Sequence, residues 1–327
     1  MRNPKVSVIM SVYKEPIEWL HESIDSILNQ TFSDFEFIII CDNPDYKEGI
    51  ELLEAYKKKD NRIVIVKNEQ NIGLTKSLNK GLAIARGEYI ARMDADDISV
   101  LNRFAIQLNY FKEHPEVDLC HTAYVKIDEK GRKIGQYKLR GIETQGEFLL
   151  VIDRLCHPSV MFRSKLIHLR NPFYDPKFTS AQDYDLWSFL LIQGITFGYI
   201  DDICIFYRVS SQQISNQKIA IQVRNGKEIR RHLICSCLEQ CGITGEIDSP
   251  KSDILKLMSA IDIHNKNKVK MQLIKYMLYV NLAKLSPLYS IYYFTDKSFI
   301  FQKMPLKFNL YVLFRFFFKN RWRLLDL

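Results

Sequence analysis

No Cys-x-x-Cys pair occurs in this 327-residue chain, and none of its seven cysteines is spaced with histidines as a zinc site requires. The nearest thing to a cluster is Cys235, Cys237 and Cys241. Its thiols fall two and four apart on a predicted helix and do not converge on one tetrahedral ion. Buried small hydrophobes in a reducing cytosol are therefore the expectation. No Gly-x-Gly-x-x-Gly follows the first apolar run, which argues against a Rossmann dehydrogenase. The opening MRNPKVSVIM lacks a long apolar segment with a small-residue cleavage site, so a secretory signal is not expected. Internal repeats and low-complexity tracts are also missing.

What is present is 47% hydrophobic and 26% charged, the balance of an ordered globular chain long enough for one large domain with an appendage. The net charge of +8 is unevenly spread. From Lys251 onward 14 Lys and Arg face 4 Asp and Glu, so the first 250 residues are net −2 and the basic character belongs to the tail.

KVSVIMSV (5–12) and FEFIIIC (35–41) are short, nearly continuous apolar runs, the pattern of strands covered on both faces. Between them Ile17, Leu20, Ile24, Ile27 and Leu28 form one helical stripe behind a proline. The alternation continues with a helix near 46–59, a strand at 62–67, a helix at 74–86 stopped at Gly87, and a strand at 88–93. Four strands separated by helices predict an α/β fold with a doubly wound parallel sheet, whose ligands sit at the carboxyl ends of the strands. Beyond it the pattern reads as a helix near 100–113, a strand in 117–128 turning at EKGRK, and a helix around 143–153. A strand at 159–163, a helix from 183 and a strand within 196–208 follow, and from about 216 helical patterns run to the end.

The fourth strand leaves into MDADD, three aspartates in four positions. Two charges about 4 Å apart repel by roughly 4 kcal/mol at an effective dielectric near 20, a cost that a divalent cation removes. Asp94 and Asp96 can present oxygens to one hard ion, Mg²⁺ or Mn²⁺. The plainer reading is a solvated loop in which Asp97 or Ser99 caps the next helix. At the ends of the first two strands, Tyr13, Glu15 and Asp42 would share the same edge. A tyrosine beside a carboxylate suits a nucleobase, the ring stacking and the carboxylate accepting from an imide N–H, although either alone is ordinary loop chemistry. Asn71 and Gly73 read as a turn before a helix.

Taken in order, VSVIMSVYKE, FEFIIICDNPD, NIGLTKSLNKGLAIARGEYIARMDADD, CHPSVMFR and AQDYDLWSFL resemble the family 2 glycosyltransferases of GT-A fold over roughly residues 5 to 215. The resemblance implies a mixed, mostly parallel sheet flanked by helices, and inverting transfer of a sugar from a nucleotide donor, usually a UDP-sugar, to an acceptor hydroxyl. By motif position Asp96 would be the principal metal ligand, with Asp94 on the donor or in the metal shell and Asp42 with Tyr13 on the base. Val12, Glu15, Asn71, Gly73 and Ala95 would also border the donor; Lys76 or Arg92 either supplies positive charge near its diphosphate or is solvated at the surface, two readings that the sequence does not separate. Where the family usually shows Glu-Asp this chain has Gln182-Asp183, so Asp183 inherits the role of base, with Asp185 as its rival and Gln182 bearing on acceptor choice. His157 is an active-site candidate on the same grounds. This chain has Ser11 where proline is usual, CDNP in place of Asp-Asp-Gly-Ser, and Ser210 or Ser211 where a histidine often completes the metal shell, so water is expected there.

These readings divide the chain into a catalytic domain at 1–215, its nucleotide-sugar half about 1–100 and its acceptor half about 101–215, and a helical, basic and aromatic region at 216–327. In that region Lys275, Lys284 and Pro287 interrupt one apolar stretch and Arg315 another, which argues against a membrane span. An interfacial helix on anionic lipid and a protein contact both remain open. Nucleic acid is disfavoured, because the aromatics lie among Leu, Ile and Val and not in a polar groove. The expected setting is cytoplasmic, peripheral on the inner face of the membrane. The expected partners are a nucleotide-sugar donor and a glycan or lipid-linked glycan acceptor in capsule, O-antigen or exopolysaccharide assembly. The alternatives are a nucleotidyltransferase of the same general fold, whose usual glycine-rich first loop SVYKEPIEW lacks, and a non-catalytic carbohydrate- or membrane-binding protein.

Overall fold

A computed structural model describes residues 3–138, 155–211, 213, 220–226, 228, 229 and 232. The helix expected at 143–153, the Cys235, Cys237 and Cys241 cluster, and the tail apart from helical residues 220–226, 228, 229 and 232 lie outside the described residues. The chain divides into two compact units, Met1–Gly146 with Arg154–Lys227 and Glu147–Asp153 with Glu228–Leu327. All elements below belong to the first.

β1 (Val6–Val12), β2 (Phe35–Cys41), β3 (Ile63–Lys67) and β4 (Tyr89–Asp94) alternate with α1 (Ile17–Leu28), α2 (Lys47–Lys59) and α3 (Leu74–Ile84). They pair in parallel in the order β3-β2-β1-β4. Val6, Val8, Met10 and Phe37, Ile39 are fully buried, and so are Ile38 and Ile40 on the other face, so helices cover both sides of this half. In the register Ser11 lies opposite Asp94, Val12 opposite Cys41, and Cys41 opposite Lys67. Four strands therefore end level, and the loops after them share one edge.

The second half is mixed. It holds β5 (Ile98–Ser99), α4 (Arg103–Glu113), β6 (Leu119–Ile127), β7 (Lys133–Tyr137), β8 (Met161–Arg163), α5 (Gln182–Ile192) and β9 (Phe197–Arg208), with 3₁₀ turns at His157–Ser159 and Ser164–Leu169. The sheet continues β4-β8-β6-β9-β5, with β7 beside β6. β8 runs antiparallel to both β4 and β6, while β9 returns parallel to β6. α4 secures this change of direction. Arg103, fully buried, donates to the carbonyls of Arg92 and Val160 at 2.9 and 3.2 Å, and Gln107 donates to Ser159 O at 2.9 Å.

Three local expectations change. Asn102 holds the N-cap position of α4 without a side-chain cap bond, and neither Asp97 nor Ser99 stands there; Asp97 is wholly buried. α3 ends at Ile84 with Ala85 as its cap, before Gly87 is reached. Gly87 is needed for close approach: a Cβ there would stand 2.5 Å from Ser7 N. The hairpin strand β7 and the two-residue β5 also join the sheet without having been expected. Among the described residues no helix is long and apolar enough to cross a membrane.

Candidate functional site

The level strand ends bring the first group of side chains together. Asp42, directly after β2, is 3% exposed and fully engaged with the loop after β3. It accepts Asn68 Nδ2 at 2.7 Å and Ile72 N–H at 2.9 Å on one oxygen, and Gly73 N–H at 2.8 Å on the other. Asn71 Oδ1 also receives Gly73 N–H at 2.9 Å. Gly73 caps α3 with φ +84°, a conformation that favours glycine. Asp42 thus shapes the loop that delivers the start of α3 to the edge, where Lys76 is exposed on the first turn. Tyr13, directly after β1, is 39% exposed. Its N–H donates to Glu15 at 2.8 Å, and Tyr46 Oη donates to the Glu15 carbonyl. Val12 and Ala95 are buried, so neither presents its side chain at the edge.

The acidic turn follows β4. Asp94, Asp96 and Asp97 can each place one carboxylate oxygen within 4.8 Å of the others. Burial, then the charges of Asp94 and Glu15, push the Asp96 carboxyl up to about 7. Glu15 is also raised, first by burial, with Asp94 adding to it. Asp97 Oδ1 accepts Arg208 N–H at 2.8 Å, while its Oδ2 is buried and without a hydrogen-bond partner. Arg208, at the end of β9, holds the turn from behind. Its Nε donates to Asp96 O at 2.8 Å, its guanidinium pairs with Glu22, and it stacks 5.0 Å from the Trp19 ring centroid. Gln213 donates to Arg208 O and acts to lower the Asp96 carboxyl pKa against the raising influences of burial, Asp94 and Glu15. Arg92 is 2% exposed and pairs with Asp94, so it does not line an open surface as a free cation would. Clustered oxygens with one orphaned buried carboxylate oxygen fit a hard divalent cation.

A second cluster surrounds a 3₁₀ turn packed against β4 and β6. His157 begins the 3₁₀ turn before β8, and its Nε2 is 2.9 Å from Tyr174 Oη. Burial, assisted by the Arg92 charge, holds the imidazole well below its ordinary pKa, so it is neutral at pH 7. Trp187 of α5 meets His157 edge to face at 5.8 Å. Tyr174 is clamped by one side chain of α3: Asn79 Oδ1 accepts Tyr174 N–H at 2.9 Å and Asn79 Nδ2 donates to Tyr174 O at 2.8 Å. The Tyr174 phenol is raised, chiefly by burial, and both Asp183 and Asp94 add to the shift.

Asp183 lies half-buried in the first turn of α5, where the helix dipole favours a carboxylate, and its Oδ1 accepts Tyr184 N–H at 2.8 Å. Gln182 beside it is buried. Asp185 pairs with Arg170 at 2.8 Å, and Arg170 also donates to Phe173 O at 2.9 Å, so Asp185 fastens the loop before α5. Ser210 is buried and Ser211 exposed; Ser211 N–H reaches Glu129 at 3.5 Å. Sequence reasoning missed Tyr174, Asp97, Arg208 and Gln213 as parts of this region. Arg208 and Gln213 lie in YRVSSQQIS, whose pattern drew attention only to its serines, and Tyr174 lies in a stretch without periodicity.

The sequence model of Glycosyl transferase family 2 matches residues 7–170. An uncharacterized glycosyltransferase of Methanocaldococcus jannaschii is 38% identical over 229 residues, covering 67% of this chain and 77% of that relative. The O-antigen biosynthesis glycosyltransferase WbnJ of Escherichia coli is 34% identical over 219 residues, covering 66% and 83%. Among solved structures, S. aureus TarS 1-349 in complex with UDP-GlcNAc superposes with a TM-score of 0.59 at 18% identity, covering 88% of this chain and 83% of that one. At that identity the likeness speaks to the fold, the helix-flanked mixed sheet of GT-A.

Proposed function

Because this chain belongs to glycosyl transferase family 2, we propose that it moves a sugar from a UDP-sugar to an acceptor hydroxyl with inversion, in the assembly of a surface polysaccharide. The observation that carries this reading is the cluster of Asp94, Asp96 and Asp97 carboxylates at the level ends of the parallel strands; Asp183, in the first turn of α5, is the carboxylate assigned to the proton transfer. That one relative is an O-antigen biosynthesis glycosyltransferase supports the polysaccharide setting. Acceptor recognition is assigned to the side of the site that carries Gln182 and His157.

In this reading Tyr13 and the loop held by Asp42 receive the nucleoside, and Lys76 at the start of α3 faces the diphosphate. Asp94 and Asp96 would hold Mn²⁺ or Mg²⁺, with Asp97 behind them. When bound, the cation neutralises charge on the departing diphosphate. Asp183 takes the proton of the acceptor hydroxyl as its oxygen bonds the anomeric carbon from the face opposite the breaking bond to the nucleoside diphosphate. Asp185 pairs with Arg170 and fastens the loop before α5; Asp183 holds the position the family motif gives to the base.

Thermal unfolding with a panel of nucleotide sugars, with and without Mn²⁺, tests the reading. Stabilisation by one UDP-sugar that requires both the cation and Asp96 supports it. Equal stabilisation without cation, or none by any nucleotide sugar, contradicts it.

A further inference from the structure

We propose that Arg92 is a built-in counter-ion of the acidic turn, which a divalent cation displaces from Asp94 when the site is loaded. The inference rests on the cation reading above and adds how loading is controlled.

Arg92 and Asp94 stand two apart on β4, so their side chains leave the same face of the strand. The pair is asymmetric: the Arg92 side chain is 2% exposed and that of Asp94 30%. Only Nη2 of Arg92 is engaged, with Asp94 Oδ1, while Nε and Nη1 are buried and have no hydrogen-bond partner. The equally buried Arg103 and Arg208 share their donors between backbone carbonyls and the side chains of Gln107 and Glu22, and so act as ties between segments. Arg92 does not. Leaving guanidinium donors unpaired in the interior is unfavourable, so packing alone does not account for an arginine here. What Arg92 contributes is one positive charge paired with Asp94 and acting on Asp97, two of the three clustered carboxylates, while His157, whose pKa that charge helps to lower, is neutral.

Asp94 is the exposed and therefore movable partner. Turning its carboxylate toward a cation exchanges one positive partner for another and breaks no covalent bond. Until that exchange the turn is held together without metal, and the Arg92 charge opposes a cation that arrives alone. An anionic nucleotide arriving with the cation offsets that opposition, so Arg92 couples the two ligands in the reciprocal sense that linkage requires.

Calorimetric titration of the full chain with MnCl₂, alone and in the presence of UDP, tests this in wild type, Arg92→Gln, Arg92→Lys and Asp96→Ala. Removing the charge in Arg92→Gln is expected to tighten binding of Mn²⁺ alone by about tenfold and to shrink the gain in Mn²⁺ affinity that UDP confers. Arg92→Lys, which keeps the charge, is expected to stay within about twofold of wild type. Should Arg92→Gln unfold, Arg92→Met carries the same expectation. The proposal is overturned if the charge-removing variant binds Mn²⁺ no tighter than wild type, or if the lysine variant tightens equally. Absence of any saturable, Asp96-dependent Mn²⁺ binding in wild type would overturn the cation reading itself, and this inference with it.

Discussion

Replacing Asp42 by asparagine keeps the shape of the side chain and removes its charge. In the wild type Oδ1 receives Asn68 Nδ2 at 2.7 Å and Ile72 N–H at 2.9 Å, and Oδ2 receives Gly73 N–H at 2.8 Å. Asparagine can keep only one oxygen, so its NH₂ must face a donor. Gly73 N–H retains Asn71 Oδ1 at 2.9 Å, which makes that side the better one to lose. The variant then forfeits one charge-assisted bond and sets two N–H groups together, a loss of about 2 kcal/mol. Asp42→Ala removes all three contacts from a site that is 3% exposed, and about 4 kcal/mol is expected. Urea unfolding followed by the fluorescence of buried Trp187 should rank the midpoints wild type, then Asn, then Ala, with UDP affinity falling in the same order. If Asp42→Ala unfolds at the wild-type urea concentration while UDP binding is lost, Asp42 acts on the ligand alone and its loop-shaping role is wrong.

Asp183→Asn is expected to leave UDP-sugar affinity within about twofold and to lower turnover by about 10²-fold or more, read from single-turnover transfer; near-normal transfer would remove Asp183 from the base role. His121 is 1% exposed, both its ring nitrogens lack partners, and burial lowers its pKa to about 3. The unfolded chain protonates this histidine near 6.5 and the folded chain does not, so its contribution to stability is lost as pH falls from about 6.5 toward 3. His121→Phe should therefore gain on wild type by about 1.4 kcal/mol per pH unit between pH 5.5 and 4; parallel pH profiles of urea midpoint for the two proteins would refute this. Gly87→Ala would set its Cβ 2.5 Å from Ser7 N and 2.7 Å from Val6 C, so β1 must shift. A loss of about 3 kcal/mol is expected in the same urea assay, and an unchanged midpoint would show that the close approach carries no constraint.

The parallel half of the sheet was legible because its strands are buried on both faces and its helices carry one apolar stripe, two patterns that periodicity reports directly. The level strand ends followed from those patterns, and with them the grouping of Tyr13, Glu15, Asp42 and Asp94–Asp96. The second half was less readable for physical reasons. β5 has two residues, too few to show a period, and β7 is an exposed hairpin strand whose place is set by its pairing with β6. Gly87 carried the mark of a helix stop, whereas its role is decided by the backbone of β1 lying against it. Asp42 announced a carboxylate at the edge, but only the tertiary structure shows that loop N–H groups take it up. Arg208 and Tyr174 act through contacts with Asp96 and His157, distant in sequence, which no local spacing encodes.

The central claim is that the turn after β4 cradles a cation which grips a nucleotide diphosphate. Anomalous diffraction from crystals grown with Mn²⁺ and UDP tests it most directly. The account predicts one manganese peak within bonding distance of Asp96 and an oxygen of the diphosphate, with the base beside Tyr13. A peak elsewhere, or UDP bound away from this edge with the turn metal-free, would contradict it.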